Sequence, residues 1–327
     1  MTADAAIEVD GLHKAYGSFE AVRGVSLRVE RGEIFAFLGP NGAGKTTTVE
    51  ILEGFRKRSA GEVRVLGIDP EHGDRDWRAR IGIVLQEGKA QPELTVRETL
   101  ELWSAYYPRS RPVAETIELV GLAEKADERV ARLSGGQRRR LDVGLALVGN
   151  PELVFLDEPT TGFDPVARRA AWEVIGGLRD LGATVFLTTH YLDEAQELAD
   201  RVAIIKGGLI VAEGAPQELA GPGAQETEIA FVPPPGVPLG ELPAGPAAVL
   251  GHDGRARLRT SAPTRLLAEL CGWAAAAGIE LERLEVRRPS LEDIYLDIVG
   301  EPPAGAGAEA QAPPAGAASS RRGRRRR

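Results

Sequence analysis

The period of apolar and polar positions changes along the chain, and the changes divide it. Between residues 7 and 29 apolar positions nearly alternate with polar ones, at Ile7, Val9 and Leu12 and then at Val22, Val25, Leu27 and Val29, around the turn residues Tyr16-Gly17-Ser18. A period near two with one solvated face predicts antiparallel strands. Two runs are apolar throughout, Ile34-Phe35-Ala36-Phe37-Leu38 and Leu153-Val154-Phe155-Leu156, and read as strands buried on both faces. Residues 61–67, 81–85 and 183–189 predict further short strands, and residues 47–55 and 138–148 predict helices. From 94 to 131 the period becomes helical, with Leu100, Trp103, Tyr106 and Tyr107 on one face and Ile117, Val120 and Leu122 on another, punctuated by Pro92, Pro108 and Pro112. That pattern predicts a helical insertion, about residues 88–148, between two parts of an α/β sheet. Residues 201–213 read as a hairpin about Gly207-Gly208, and a first unit, 1–215, closes there.

Beyond it, residues 216–252 are rich in Pro and Gly and read as an irregular connector. A strand at 255–260, an amphipathic helix at 263–277 and a strand at 279–288 then predict a small α/β appendage, so that 216–300 is a linker plus accessory domain. Residues 301–327 are Ala-, Gly- and Pro-rich and end in a run of arginines; they cannot bury a core, which predicts disorder. The arginines admit three readings: a contact with an anionic membrane leaflet, worth about 1 kcal/mol per basic residue, a nucleic-acid contact, or a solvated tail without a defined role.

Chemistry concentrates in the first unit. Gly39-Pro40-Asn41-Gly42-Ala43-Gly44-Lys45-Thr46-Thr47 lies between a buried strand and a helix, the setting of a phosphate cradle. Its glycines let successive N–H groups turn inward toward phosphate oxygens, and the helix N-terminus adds its positive dipole end. Lys45 is placed to neutralise phosphate charge and the Thr46 hydroxyl to hold Mg²⁺. The strand at 153 runs into Asp157 and Glu158; Asp157 could reach Mg²⁺, and Glu158 could polarise a water aimed at the γ-phosphate. Gln86 and His190 each follow a predicted strand, so three strands deliver Gln, Asp-Glu and His to one sheet edge, where open α/β sheets gather their sites. Leu133-Ser134-Gly135-Gly136-Gln137 opens a helix with a good cap and two bare glycines, a second candidate anion site.

Length and composition narrow the setting. A chain of 327 residues suits two or three domains, and 43% hydrophobic with 27% charged residues is ordinary for a globular protein. The net charge of −8 offers no general basic surface for nucleic acid. Cys271 is the sole cysteine, so an internal disulfide is excluded, which suits a reducing compartment. The acidic N-terminus does not look like a secretory signal and no apolar run is long enough to span a bilayer. The expectation is a cytosolic chain that meets a membrane only through a partner or a surface contact.

In this order, these residues resemble the ATP-binding subunit of ABC transporters over about residues 5–215. The resemblance rests on an aromatic A-loop residue (Tyr16), Walker A (Gly39 to Thr47), the Q-loop (Gln86), the signature (Leu133 to Gln137), Walker B ending in Asp157 and Glu158, the D-loop (Thr160 to Asp164) and a switch histidine (His190). It implies a P-loop NTPase cassette: an α/β fold with a mixed sheet core, an antiparallel β arm and a helical subdomain. It also implies ATP and Mg²⁺, with Thr46, Gln86 and Asp157 around the metal and Tyr16 stacked on adenine. Two cassettes would pack head to tail, each ATP lying between Walker A of one and Ser134, Gly135, Gly136 and Gln137 of the other, so a homodimer or pseudo-symmetric dimer is the expected active form. Asp164 would link the two sites. One departure is Phe163, where the family usually has Leu. The stretch Pro289-Ser290-Leu291-Glu292-Asp293-Ile294-Tyr295-Leu296 and the segment Thr189-His190-Tyr191-Leu192-Asp193-Glu194-Ala195 are similar to the daunorubicin-resistance subfamily of ABC-2 type exporters, which implies a separate integral membrane permease. A soluble ABC ATPase working on nucleic acid, in repair or on ribosomes, is the rival, disfavoured because the stretch from Thr46 to Leu133 is too short for a long coiled coil and only one cassette is present. An importer cassette would carry the same site residues.

Overall fold

The computed structural model describes residues 5–84, 90–219, 227–243, 248–251, 253–287 and 295. Strands β1 (Ile7–Tyr16), β2 (Phe19–Val29) and β3 (Ile34–Leu38) lead into α1 (Lys45–Leu52). Next come β4 (Ala60–Val65), α2 (Arg75–Arg78), β5 (Ile81–Val84), α3 (Val96–Ser104), α4 (Val113–Leu119) and α5 (Gly135–Leu147). β6 (Leu153–Asp157), α6 (Pro165–Asp180), β7 (Thr184–Thr189), α7 (Leu192–Leu198) and the hairpin β8 (Arg201–Lys206) and β9 (Leu209–Gly214) follow. Last are β10 (Thr227–Phe231), β11 (Val249–Leu250), β12 (Ala256–Thr260), α8 (Pro263–Ala277) and β13 (Glu285–Arg287).

The central sheet has the order β5-β6-β7-β3-β8-β9. Its first five strands are parallel and β9 returns antiparallel to β8. β3 and β7 are buried along their whole length, as the unbroken apolar run of β3 requires of a strand covered on both faces; β7 is buried although Thr184, Thr188 and Thr189 lie in it. Alternate residues divide between two cores. Ile34, Ala36, Leu38, Val154, Leu156, Val185 and Leu187 face a cluster built with the helices. Phe35, Phe37, Leu153, Phe155 and Phe186 face the second cluster, which α1 shares with an antiparallel arm of order β2-β1-β4. In that second core Phe186 packs among Phe35, Phe37 and Phe155 at ring centroid distances of 5.6 to 5.8 Å.

α1 begins at Lys45, two residues before the expected start, because Gly44 takes a left-handed conformation with φ of 108° and caps it without a side chain. At its other end Glu53 is buried, 7% exposed, in an apolar setting. Burial, with Asp157 and Glu50 adding to it, raises the Glu53 carboxyl to about 8. A carboxyl raised on folding supports the folded state below its ordinary value of 4.5, and that support is lost as pH climbs toward about 8. Glu53→Gln is therefore expected to match the parent near pH 5 and to exceed it by on the order of 3 kcal/mol above pH 8, read by urea unfolding at the two pH values. Equal stability of the two chains at the higher pH would refute the assignment.

The C-terminal elements form an antiparallel sheet, β11-β12-β10-β13, with α8 beside a small core of Ile229, Phe231, Leu258, Leu266 and Leu270. β10 corrects the reading of 216–252 as irregular throughout. Five residues, Thr-Glu-Ile-Ala-Phe, are too short to stand out from a Pro- and Gly-rich background, and the strand exists because β12 and β13 pair with it on both sides. The strand expected over 279–288 shrinks to Glu285–Arg287, since the chain turns first, with Arg283 at a φ of 53°. The arginine-rich tail and all but Tyr295 of the 289–296 motif lie outside the described residues; Tyr295 packs into the cluster that includes Val154, Leu156 and Leu187.

Candidate nucleotide site

Strand order creates the site. Leu38 pairs with Thr189, Asp157 with Thr188, and Val84 with Leu156, so the loops after β3, β6 and β7 leave one edge side by side. Gln86, two residues past β5, lies outside the described residues.

The loop at Gly39-Pro40-Asn41-Gly42-Ala43-Gly44 folds tightly against the β8 end. A Cβ on Gly39 would stand 2.4 Å from the Ile205 carbonyl oxygen, and one on Gly44 would stand 2.6 Å from that of Ala21. Neither position tolerates a side chain without backbone movement. With no side-chain cap on α1, the N–H groups of Lys45, Thr46 and Thr47 open the helix toward whatever the loop holds. Lys45, 5% exposed, donates to the Gly39 and Pro40 carbonyls at 2.7 and 3.3 Å. Its ammonium also stands 3.5 Å from Glu158 Oε1. Burial pulls the Lys45 pKa down, and Glu158 opposes that pull.

Glu158 is the focus. Its N–H donates to the Thr188 carbonyl and hydroxyl oxygens, both at 3.1 Å, and its backbone is left-handed, with φ of 46°, a conformation that non-glycine residues seldom adopt. His190 Nδ1 approaches Glu158 Oε1 to 3.3 Å without lining up as a hydrogen bond. Contact with His190, reinforced by Lys45, holds the Glu158 carboxyl down to about 2 despite partial burial. The His190 ring packs against Tyr191 with centroids 4.1 Å apart and the ring planes tilted by 38°, and the Arg168 guanidinium lies over the Tyr191 ring at 4.2 Å. Asp157 accepts from the Thr188 hydroxyl; burial raises its pKa and that bond opposes the rise.

Tyr16 ends β1, 41% exposed, opposite Phe19. Lys14 and Arg56 stand 5.1 and 5.4 Å from its ring. At the other candidate anion site, Ser134 and Gln137 form a reciprocal cap: Ser134 Oγ accepts from Gln137 N at 3.2 Å, and Gln137 Oε1 accepts from Ser134 N at 2.9 Å. A Cβ on Gly135 would meet nothing within 4 Å, so this helix start is open to close approach. Ser134, Gly135 and Gly136 line a cleft of about 980 Å³ with Arg139, Glu158 and Phe163, and no described residue of the phosphate loop lines it. Within one chain, then, the signature glycines and the phosphate loop do not line this cleft together. Asp164 caps α6, its Oδ1 accepting from Val166 N and Ala167 N at 2.9 Å each.

Three residues at the site carried no expectation from the sequence. Thr188 donates its hydroxyl to the Asp157 carboxylate and accepts from the Glu158 backbone N–H, fixing the β6 end. Glu194, buried, accepts from the Thr160 hydroxyl at 2.8 Å and the Trp172 indole at 3.2 Å, tying the D-loop to α7. Arg139, in α5, reaches the β6 end. All three lie near a motif, Thr188 two residues before His190, Glu194 within the segment 189–195 and Arg139 two residues past Gln137, but their partners are distant in the chain.

Comparison with known proteins gives the family. Residues 22–161 match the ABC transporter family, and residues 227–290 match the C-terminal domain of ABC transporter domain-containing proteins. A daunorubicin resistance ATP-binding protein of Streptomyces coeruleorubidus is 39% identical over 312 residues, 91% of this chain and 97% of that one. The chain belongs to the ABC transporter family. It is an ATPase with the nucleotide-binding cassette of that family. A Nod factor export ATP-binding protein of Paraburkholderia xenovorans is 44% identical over 66% of this chain and 73% of its own. Among solved structures, a dimeric cassette in a post-hydrolysis state with ADP and Pi is 27% identical, with a TM-score of 0.57, covering 64% of this chain and 98% of that one. No helix among the described residues is long and apolar enough to cross a membrane.

Proposed function

We propose that this cassette ATPase powers an ABC-2 type exporter of a drug, antibiotic or lipid-like cargo through a separate integral membrane permease, on the inner face of the cell membrane. The observation that carries the reading is the extent of likeness: similarity to the daunorubicin resistance protein runs through 312 residues, past the cassette and across the C-terminal sheet. In the active form, two copies meet head to tail, and Ser134 to Gln137 of one cover the loop of the other. That arrangement accounts for two open helix starts, at Lys45 and Gly135, lying apart in one chain.

Adenine stacks on Tyr16, and the phosphates lie along Gly39 to Thr47. Drawn to the phosphates, Lys45 loosens its hold on Glu158, whose carboxylate then orients a water in line with the γ-phosphorus. The water oxygen bonds to phosphorus as the bond to the bridging oxygen of ADP breaks. The water's proton passes through Glu158 and leaves with inorganic phosphate. His190 steadies Glu158 and faces the γ-phosphate. Thr46 and Asp157 supply a hydroxyl and a carboxylate, hard oxygen donors suited to Mg²⁺. An ion held by two such donors would take its remaining ligands from phosphate and water. That ion would neutralise charge on the phosphates, and Gln86, outside the described residues, would offer it a further oxygen.

Tagged full-length chain is expected to bring down a multispan membrane protein from detergent extracts and to support ATP-dependent drug uptake into inverted vesicles. Recovery of ribosomes or nucleic acid instead would overturn the reading. For Tyr16→Ala the expectation is a KM for ATP raised about 10-fold with kcat little changed, because base stacking contributes about 1–3 kcal/mol. An unaltered KM would remove Tyr16 from the site.

A further inference from the structure

Glu158 carries its carboxylate on a backbone that a glutamate does not adopt unaided, so something must hold it there. Its N–H is fixed by β7 through Thr188. The two carbonyls flanking it are held from a different element. Arg139 Nε donates to the Pro159 carbonyl at 3.1 Å, and Arg139 Nη2 donates to the Asp157 carbonyl at 3.3 Å. One planar guanidinium thus spans the residue before Glu158 and the residue after it. We propose that Arg139 is a positioning residue which clamps the Glu158 turn and couples it to the signature helix, so that closure of a second copy on Gly135 and Gly136 aligns the carboxylate in this chain's own site.

The physical basis is the short, rigid path. Arg139 lies one helical turn beyond Gly135 in α5, and the reciprocal cap of Ser134 and Gln137 makes the start of that helix stiff. A left-handed non-glycine residue lies above its ordinary backbone wells, and surrounding contacts must over-determine it. Arginine suits the task because its fork has fixed geometry and keeps its charge when partly buried. Burial does pull the Arg139 pKa down, with Asp142, Asp157 and Glu194 opposing. Arg139 and Glu158 also share the cleft that Ser134 and Gly135 line, so the coupled groups are contiguous.

The inference rests on the proposed role of Glu158 and on the head-to-tail dimer. Full-length Arg139→Met and Arg139→Lys chains test it by steady-state ATP hydrolysis, by ATP titration and by thermal melting. Met removes both donors and Lys replaces the fork by a single centre. Misplacement of a catalytic group by about 1 Å costs on the order of 100-fold, so Arg139→Met is expected to lower kcat by about 10- to 100-fold with ATP affinity within about 3-fold of the parent, and Arg139→Lys to fall between. A soluble Met chain with the parent kcat overturns the proposal, as does parallel loss of ATP affinity and kcat. If the Met chain does not fold, a Lys chain with the parent kcat overturns it equally. Glu158→Gln keeps the tests apart: turnover surviving that change refutes the site reading, whereas its loss with normal Arg139 variants refutes only the clamp.

Discussion

Glu158→Gln is expected to leave a chain that binds ATP, dimerises around it and turns over at least about 100-fold more slowly, the lower end of what a positioned acid or base contributes. The substitution keeps the shape of the side chain and its backbone contacts with Thr188. What it removes is the negative charge that faces Lys45 and His190 and would orient the attacking water. Since that charge is held by contacts at 3.3 and 3.5 Å, its loss also frees Lys45 for phosphate, and ATP affinity should hold or rise. Size-exclusion chromatography with and without ATP, together with phosphate release, reads both effects. A variant that hydrolyses normally, or that never dimerises with ATP, would sink the assignment of Glu158.

Lys45→Ala should fail one step earlier, at binding. The ammonium is buried inside the loop and held by two carbonyls, so no solvent or neighbouring cation can replace it. Truncating one partner of a buried charge pair costs about 2–5 kcal/mol, which places the loss of ATP affinity at roughly 30-fold or more and carries hydrolysis down with it. The change has a second consequence: Glu158 loses its ammonium neighbour and keeps the contact with His190. Titration with a fluorescent ATP analogue, beside a melting curve to show the fold intact, settles it. ATP affinity within a few-fold of the parent would show that the loop is not the phosphate site.

The two effects differ because the same ion pair serves different steps. Lys45 acts on the ground state and Glu158 on the transition state, so the first change appears in affinity and the second in turnover. The Arg139 clamp belongs with Glu158 by this criterion, and Tyr16 belongs with Lys45.

Much of this was legible before any coordinates. Unbroken apolar runs at 34–38 and 153–156 could only be strands covered on both faces, and the near-alternation from Ile7 to Val29 could only be an arm with a solvated side. Gly39 to Thr47 announced a phosphate cradle because glycines, lysine and threonine at that spacing answer a local geometric demand. Such features depend on neighbours a few residues away, and local sequence determines them. Tertiary structure decided the rest. β3 lies beside β7 and β8 rather than beside its chain neighbours, and that order, set by long-range packing of Phe35, Phe37, Phe155 and Phe186, puts Lys45, Glu158 and His190 within a few ångströms of one another. β10 exists through pairing with strands dozens of residues away, so its own short and polar-edged sequence could not reveal it. Arg139 carries no signature in the sequence, because what it grips are backbone carbonyls on another element.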